Sequence, residues 1–130
     1  MSQENVEVVR RADMHFAQTG ELLWEVMHPD VISVDWDVPD AHDRVGHEGL
    51  RKWLENWASA WERFEMDPEG YRDVDDKVVS LFTMRATGRD SGVSLERKDA
   101  IVVSVEDGLI TRLEYFNDQT NALKAAGLSE

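Results

Sequence analysis

The sequence predicts one α+β domain, in which helices cover one face of a curved antiparallel β-sheet. Three observations lead to this fold class: apolar residues recur at helical spacing in the first half of the chain, they alternate with polar residues in the second half, and tight turns separate the alternating stretches. A chain of 130 residues suits a single domain. We therefore expect residues 1–130 to bury one hydrophobic core.

Helices and one strand are predicted in the first part of the chain. Apolar residues at roughly helical spacing predict a helix from Asn5 to Gln18 and a short second helix over Glu21–Met27. The second helix should end at His28-Pro29, because the residue before a proline avoids the helical conformation. Alternation predicts a strand from Ile32 to Val38, and the polar composition of Pro39–Gly46 predicts a loop.

The clearest helical pattern lies in the middle of the chain. From His47 to Phe64, apolar residues follow the i, i+3, i+4, i+7 spacing of an amphipathic helix. Trp53, Trp57 and Trp61 share its apolar stripe. Such a stripe predicts a helix face packed on a sheet, and one of its rings can line a cavity at the same time.

The second half of the chain predicts an antiparallel sheet and a closing helix. The expected strands are Tyr71–Val74, Lys77–Thr87, Val93–Glu106 and Leu109–Phe116. Asp107-Gly108 between two alternating stretches is a strong hairpin signal, and Asp90-Ser91-Gly92 marks a second tight connection. A C-terminal helix from Asp118 to Ala126 should end at Gly127.

The stretch from Val93 to Val105 contains the strongest functional clue. Its alternate positions form an apolar row that also holds an arginine and a carboxylate: Val93, Leu95, Arg97, Asp99, Ile101, Val103 and Val105. If the row faces the core, Asp99 faces it too, and a buried carboxylate is costly unless it is paired or protonated. One interpretation is a ligand cavity in which Asp99 stays protonated and acts as an acid or hydrogen-bond donor. The other is a structural Arg97–Asp99 pair at the sheet margin, or a bulge that turns Asp99 outward.

Composition excludes several function classes. Twenty-seven acidic against 14 basic residues give a net charge of −13, which repels a nucleic-acid backbone and an anionic membrane surface. The absence of cysteine excludes disulfides and thiolate chemistry. We expect neither a membrane span nor a signal peptide, and therefore a cytoplasmic protein without a nucleic-acid or membrane partner.

No metal and no cofactor are expected. His28, His42 and His47 lack the helical spacing and the accompanying carboxylate of zinc sites. The glycine-rich signatures of dinucleotide and nucleotide sites and the Gly-x-Ser-x-Gly motif of α/β-hydrolases do not occur in the sequence. Any chemistry should therefore depend on the protein's own side chains.

Several segments of the chain together resemble one protein family. They are Glu7-Val8-Val9-Arg10-Arg11, His28-Pro29-Asp30-Val31, Gly46-His47-Glu48-Gly49-Leu50, and Asp107-Gly108-Leu109-Ile110 followed by Leu113-Glu114-Tyr115-Phe116. Their order and spacing are similar to the SnoaL-like branch of the NTF2-like superfamily. The resemblance implies a cone of curved antiparallel sheet wrapped around three helices, with a pocket at its mouth. It implies no single activity, because the superfamily includes ketosteroid isomerases, polyketide cyclases, limonene-epoxide hydrolases, dehydratases and non-enzymatic modules.

The resemblance also implies roles for individual residues. Asp35 matches the position of the general base of ketosteroid isomerases, and Asp99 matches the protonated aspartic acid of their oxyanion hole. In that arrangement one carboxylate removes a proton beside a carbonyl, and the second carboxyl group donates a hydrogen bond to the enolate. The helix-one tyrosine of the isomerases has no counterpart in Arg11–Phe16. Steroid isomerisation is therefore not expected, and His15 or Asp13 is left as a substitute acid or base.

Two functions of different classes follow as hypotheses. The first is a cofactor-independent isomerase or cyclase that acts on a small hydrophobic carbonyl compound by carboxylate acid/base chemistry, in a pocket formed by Trp24, Trp53, Trp57, Phe82, Arg97, Tyr115 and Asn117. The second is a non-catalytic NTF2-like module that binds a small ligand or only dimerises. The alternation of Asp35 with Val34 and Trp36 leaves open that Asp35 faces solvent. A homodimer is expected because Val78–Ala86 and Ile101–Val105 have more apolar residues than one buried face needs.

Overall fold

The computed structural model describes residues 2–36 and 44–128. Its elements are α1 (Ser2–Thr19), a short 3-10 helix (Trp24–Val26), β1 (Met27–Asp35), β2 (Arg44–Val45), α2 (Gly46–Ser59), β3 (Trp61–Val74), β4 (Lys77–Gly88), β5 (Ser94–Glu106), β6 (Leu109–Phe116) and α3 (Gln119–Ala125). These helices and the curved sheet form the α+β fold that the sequence predicts. No helix among the described residues has the length and apolarity needed to cross a bilayer.

The strands form one open sheet in the order β2-β1-β6-β5-β4-β3. All described neighbours pair antiparallel except β1 and β6, which run parallel. Because β6 lies between β1 and β5, the first long strand of the chain and the last one meet in the middle of the sheet. The parallel pair is the one departure from the predicted antiparallel sheet.

The two faces of the sheet carry different helices. Helices α1 and α2 pack on the face that we call the inner face, where Val78 and Val103 form a core cluster with Val9 of α1 and Leu50 of α2. Helix α3 packs on the opposite, outer face, in the cluster Val79, Ala100, Val102, Phe116, Ala122, Leu123 and Ala126. The central strands are therefore buried on both sides, which explains their apolar residues at consecutive positions.

The predictions for the second half of the chain are confirmed to within one residue at each end for β4, β5, β6 and α3. Asp107 and Gly108 turn the β5–β6 hairpin with φ angles of 52° and 79°, in the left-handed region that this type of turn requires. The side chain of Asp118 caps α3 by accepting a hydrogen bond from the backbone N–H of Asn121. Gly127 follows the helix with a φ of 85°, as an αL cap requires.

The short second helix predicted over Glu21–Met27 is wrong. Only Trp24–Val26 is helical, as one 3-10 turn, and β1 already begins at Met27. His28-Pro29 therefore lies inside a strand instead of ending a helix. The pairing of β1 with β6 shifts register between Met27 and Ile32, and this irregularity accommodates a proline, which cannot donate a ladder hydrogen bond.

The middle helix is shorter than its pattern predicts. Helix α2 ends at Ser59, and β3 begins at Trp61, so Trp61 and Phe64 belong to a strand. Their partners across the sheet are Gly88 and Ala86 of β4. Spacing alone cannot separate the two states here, because the pairing that β4 offers is a tertiary interaction that periodicity does not encode.

The predicted loop Pro39–Gly46 and the end of the predicted strand at Val38 lie largely outside the described residues. At the C-terminal end of the predicted loop, Arg44 and Val45 form β2 and pair antiparallel with Ser33 and Ile32. Gly46 already belongs to α2. Helix α1 extends slightly beyond the predicted Asn5–Gln18 at both ends.

Candidate functional site

A cavity lies between helices α1 and α2 and the inner face of the sheet. The centre of a water molecule can move through about 90 Å³ of it, which is room for several waters or a small apolar group. Aromatic and aliphatic side chains form most of its walls, among them Phe16, Trp53, Trp57, Phe64, Phe82 and Met84. Of the described residues that line it, Asp13 alone carries a charged side chain.

Asp13 is the polar centre of the cavity. Helix α1 carries it against the sheet, where the side chain is only 9% exposed. Its Oδ2 accepts hydrogen bonds from Ser80 Oγ at 2.6 Å and from Tyr71 Oη at 3.1 Å. Burial raises the pKa of Asp13 to about 6, and the hydrogen bonds from Ser80 and Tyr71 only partly oppose this. Both bonds end on Oδ2, so within the described structure Oδ1 is left for a ligand.

Asp99 is completely buried and is paired with an arginine. Arg97 donates to it twice, from Nε to Oδ1 at 2.6 Å and from Nη2 to Oδ2 at 3.0 Å. Tyr115 Oη donates to the same Oδ2 at 2.5 Å. The pairing of β5 with β4 runs without a register shift past Asp99, so no bulge turns it outward there. The side chain thus faces the core, as the cavity interpretation expects. It also forms the Arg97–Asp99 pair that the structural interpretation expects.

The partners of Asp99 respond to its charge. Hydrogen bonding to Asp99 raises the pKa of Arg97 above its usual value. Burial, and then the charge of Asp99, raise the pKa of Tyr115 as well, so the phenol stays protonated and remains a donor. Tyr115 lines the cavity whereas Asp99 does not. Asp99 therefore meets the cavity only through Tyr115.

Asp35 is buried at the end of β1, with 7% of its surface exposed. It pairs in register with Tyr115 of the parallel strand β6, and Ser33 pairs in the same way with Leu113. Because Ser33, Leu113 and Tyr115 line the cavity, Asp35 lies on the same inner face, next to the lining residues. The alternative of a solvent-facing Asp35 is not found; its neighbour Trp36 is 52% exposed instead.

The structure brings four of the predicted pocket residues together. Trp53, Trp57, Phe82 and Tyr115 all line the cavity. The ring centroid of Tyr115 lies 5.8 Å from Trp53, 6.2 Å from Trp57 and 5.9 Å from Phe82. Tyr115 is therefore a residue of the sheet on which both tryptophans of α2 pack.

The other predicted site residues lie away from the described cavity lining. His15 is partly exposed on α1, two residues from Asp13 and hence on another side of the helix. Trp24 packs on His47, with ring centroids 4.9 Å apart. Arg97 is not among the lining residues, but it pairs with Asp99 and also interacts with Tyr115. Asn117 follows the end of β6.

Tyr71 and Ser80, which hydrogen-bond to Asp13, were not predicted as site residues from the sequence, and Asp13 was expected only as a substitute acid or base. The signal was present: Val9, Asp13 and Phe16 fall on one face at i, i+4 and i+7, so a carboxylate occupies the apolar stripe of α1. Ser80 likewise interrupts the inward row of β4 between Val78 and Phe82.

The arrangement is suited to proton transfer in an apolar space. A carboxyl group that titrates near pH 6 can both take up and release a proton at neutral pH. The apolar walls keep water away from the Asp13 carboxyl group and thereby strengthen its electrostatic interaction with a ligand. Among the described residues, no group of three His, Asp or Glu side chains gathers as metal ligands would.

Comparisons with known proteins place this geometry in a family. A family model described as the SnoaL-like domain matches residues 6–113. Among curated proteins, none matches the chain.

Three solved structures share the fold at low sequence identity. TerC co-crystallised with polyporic acid has a TM-score of 0.77 and 22% identity, over 95% of this chain and 97% of that one. A putative SnoaL-like polyketide cyclase from Jannaschia sp. CCS1 has a TM-score of 0.76 and 19% identity, over 99% and 95%. A hypothetical protein with a ketosteroid isomerase-like fold from Catenulispora acidiphila DSM 44928, in complex with trimethylamine, has a TM-score of 0.73 and 15% identity, over 94% and 93%. At these identities the likeness shows the fold alone.

Proposed function

The chain belongs to the SnoaL-like domain family, and from that premise we propose that it binds a small hydrophobic carbonyl compound in the inner cavity and moves a proton on it without a cofactor. The reaction class is an isomerisation or a cyclisation. The observation that carries this proposal is Asp13: a buried carboxyl group that lines an otherwise apolar cavity and whose pKa is about 6.

The proposed step begins with Asp13 as the base. Its carboxylate takes a proton from the carbon beside the substrate's carbonyl, the C–H bond breaks, and the electron pair moves to the carbonyl oxygen to form an enolate. In an isomerisation the enolate is protonated at another carbon by the Asp13 carboxyl group. In a cyclisation the enolate carbon attacks a second carbonyl of the same molecule, and the proton goes to the new alkoxide.

The hydroxyl groups of Ser80 and Tyr71 hold Asp13 in place for this role. Both donate to Oδ2, so the oxygen that faces the ligand is fixed in position. A pKa near 6 lets Asp13 act as both acid and base at neutral pH, because a strongly acidic carboxyl group would be a weak base.

For the other two carboxylates we propose supporting roles. Asp35 is the second carboxylate close to the cavity, and its place on the inner face beside Tyr115 supports a part in proton transfer or in charge stabilisation. Asp99 is proposed as a positioning residue that acts through Tyr115, since Arg97 and Tyr115 already occupy its two oxygens. His15 has no part in this proposal.

The names of the similar structures support a small organic ligand. One was co-crystallised with polyporic acid and another is in complex with trimethylamine, and a third is named a putative polyketide cyclase. The main alternative is a non-catalytic module of the same family that binds a ligand in this cavity without turnover, or that only dimerises.

Hydrogen–deuterium exchange separates the two functions. A panel of small apolar ketones is incubated in D₂O with the wild type, and loss of the proton signal beside the carbonyl is followed by NMR. We expect exchange well above the buffer rate, lowered at least about 100-fold by Asp13→Asn, which is the usual size of a general acid/base contribution. Glu4→Gln, an exposed acid on the same helix, should leave the rate unchanged.

Two outcomes contradict the catalytic proposal. Exchange at the buffer rate, together with quenching of Trp53 and Trp57 fluorescence by the same ketones, would support the non-catalytic binding module. Exchange that is equally fast in Asp13→Asn would remove Asp13 from the mechanism.

A further inference from the structure

Two of the buried carboxylates at the site, Asp13 and Asp99, differ in their countercharge. Asp99 accepts two hydrogen bonds from one edge of the planar Arg97 guanidinium, from Nε and Nη2. Among the described residues, the side chains that donate to Asp13 are the two neutral hydroxyl groups of Ser80 and Tyr71. A buried carboxylate is stable when a cation balances it, and hydroxyl groups supply only part of that stabilisation.

No cation of the described chain balances Asp13. None of the arginine, lysine and histidine side chains in residues 2–36 and 44–128 forms an ion pair with it. Arg10, the nearby basic residue of α1, lies instead over the ring of Tyr71, 5.6 Å from its centroid, and pairs with Glu7 at the surface. Asp13 itself lines the cavity, so a countercharge can reach it from there.

The cavity beside Asp13 has the walls that an organic cation prefers. The electron-rich faces of aromatic rings attract a cation, and the attraction grows when water is excluded. Trp57 and Phe64 meet edge to face with centroids 4.8 Å apart, and Phe16 stacks on Phe64 at 6.0 Å. Phe16 also lies one helical turn from Asp13 on α1. Carboxylate and rings therefore line one small space.

We propose that this cavity binds small apolar ammonium ions, with the cationic nitrogen against Asp13 Oδ1 and the apolar part on the rings of Trp53, Trp57 and Phe64. The inference rests on the cavity of the proposed function but needs no turnover. An ammonium ion bound there occupies the proton-accepting oxygen, so such compounds inhibit proton transfer. The net charge of −13 favours the approach of cations over anions.

A pair of probes with the same shape tests the charge alone. Phenyltrimethylammonium and tert-butylbenzene differ by one nitrogen for carbon and by one positive charge. Binding is measured by the quenching of tryptophan fluorescence excited at 295 nm. In the wild type at pH 8 we expect the cation to bind about tenfold more tightly than the hydrocarbon. In Asp13→Asn, checked for folding by circular dichroism, the preference should disappear, whereas Glu4→Gln should retain it.

The pH dependence of the wild type gives the same test without a substitution. Because the pKa of Asp13 is about 6, its protonation removes the negative charge as the pH falls through 6, so the cation should lose its advantage between pH 7 and pH 5 while tert-butylbenzene keeps its affinity. Tyr71 hydrogen-bonds to Asp13, and Arg10 and Glu7 interact in turn with Tyr71. Burial raises the pKa of Tyr71, so its phenol stays protonated over this pH range.

Each remaining outcome is decisive. If tert-butylbenzene binds and the cation binds no better, the ammonium proposal fails and the cavity of the proposed function stands. If neither probe binds, the ammonium proposal fails, and the ketone exchange experiment still decides the proposed function. A preference for the cation that persists unchanged in Asp13→Asn and at pH 5 would assign it to surface charge and overturn the proposal.

Discussion

At the scale of single residues, the sequence indicated the buried position of Asp99 more clearly than that of Asp13. Asp99 stands out because side chains alternate along a strand, so a charged residue in an apolar row is conspicuous even though its burial stayed open. Asp13 falls on a helical stripe about 100° wide, whose margins merge into the polar face, and the same signal is weaker there. The donors to Asp13 could not be predicted, since Tyr71 and Ser80 are 58 and 67 residues away and only the folded sheet brings them to α1.

The raised pKa of Asp13 should appear in the stability of the protein. The folded chain holds this proton up to about pH 6, whereas the unfolded chain releases it near 3.8. Between these pH values the folded state binds more protons, so the free energy of unfolding falls as the pH rises. Two pH units correspond to about 3 kcal/mol. Asp13→Asn keeps an acceptor for both hydroxyl groups but does not ionise.

Urea unfolding at pH 4 and pH 7 measures this effect. We expect the stability of Asp13→Asn relative to the wild type to increase by up to about 3 kcal/mol from pH 4 to pH 7. Glu4→Gln, which is exposed, serves as the control and should show little change. A stability difference between Asp13→Asn and the wild type that is the same at both pH values would contradict the raised pKa.

At the scale of elements, hairpins and caps were predictable and boundaries set by distant partners were not. The Asp107-Gly108 turn and the cap of α3 by Asp118 depend on neighbouring residues, and both are found. The change from α2 to β3 depends on the pairing of Trp61 with Gly88, which local spacing does not contain. The same limit explains why β1 begins at Met27, before a proline that was expected to end a helix.

Helix α3 should contribute to stability through the outer face of the sheet. Leu123 is 5% exposed and packs in the cluster of Val79, Ala100 and Val102. Leu123→Ala should therefore lower the free energy of unfolding by about 2–4 kcal/mol. Lys124→Ala, its exposed neighbour, should cost less than about 0.5 kcal/mol. If both substitutions lower the free energy of unfolding by the same small amount in thermal or urea unfolding, α3 does not stabilise the outer face of the sheet.

At the scale of the whole molecule, α3 covers apolar residues from which the homodimer was predicted. The apolar residues on both sides of β4 and β5 suggested a subunit interface, but Val79, Ala100 and Val102 are already covered by α3 within one chain. Beyond α3 the outer face carries charged groups, where Lys98 pairs with Glu69, and Arg85 pairs with Glu96. An interface there would need complementary charges.

The homodimer stays a prediction that solution measurements decide. If the exposed charged groups of the outer face form the interface, light scattering should give about twice the mass of one chain at low salt, and the dimer should weaken as salt screens the charges. A single-chain mass at every concentration and salt level would contradict the dimer and leave the inner cavity of each chain unaffected.

Titration of Asp13 itself tests whether a buried carboxyl group with a raised pKa lines the cavity. NMR of the protein labelled with ¹³C at the aspartate side chains follows each carboxyl group with pH, and Asp13→Asn identifies the signal of interest. We expect a midpoint near pH 6 that shifts when phenyltrimethylammonium or an apolar ketone occupies the cavity. A midpoint near the usual 3.8, unmoved by either compound, would contradict it.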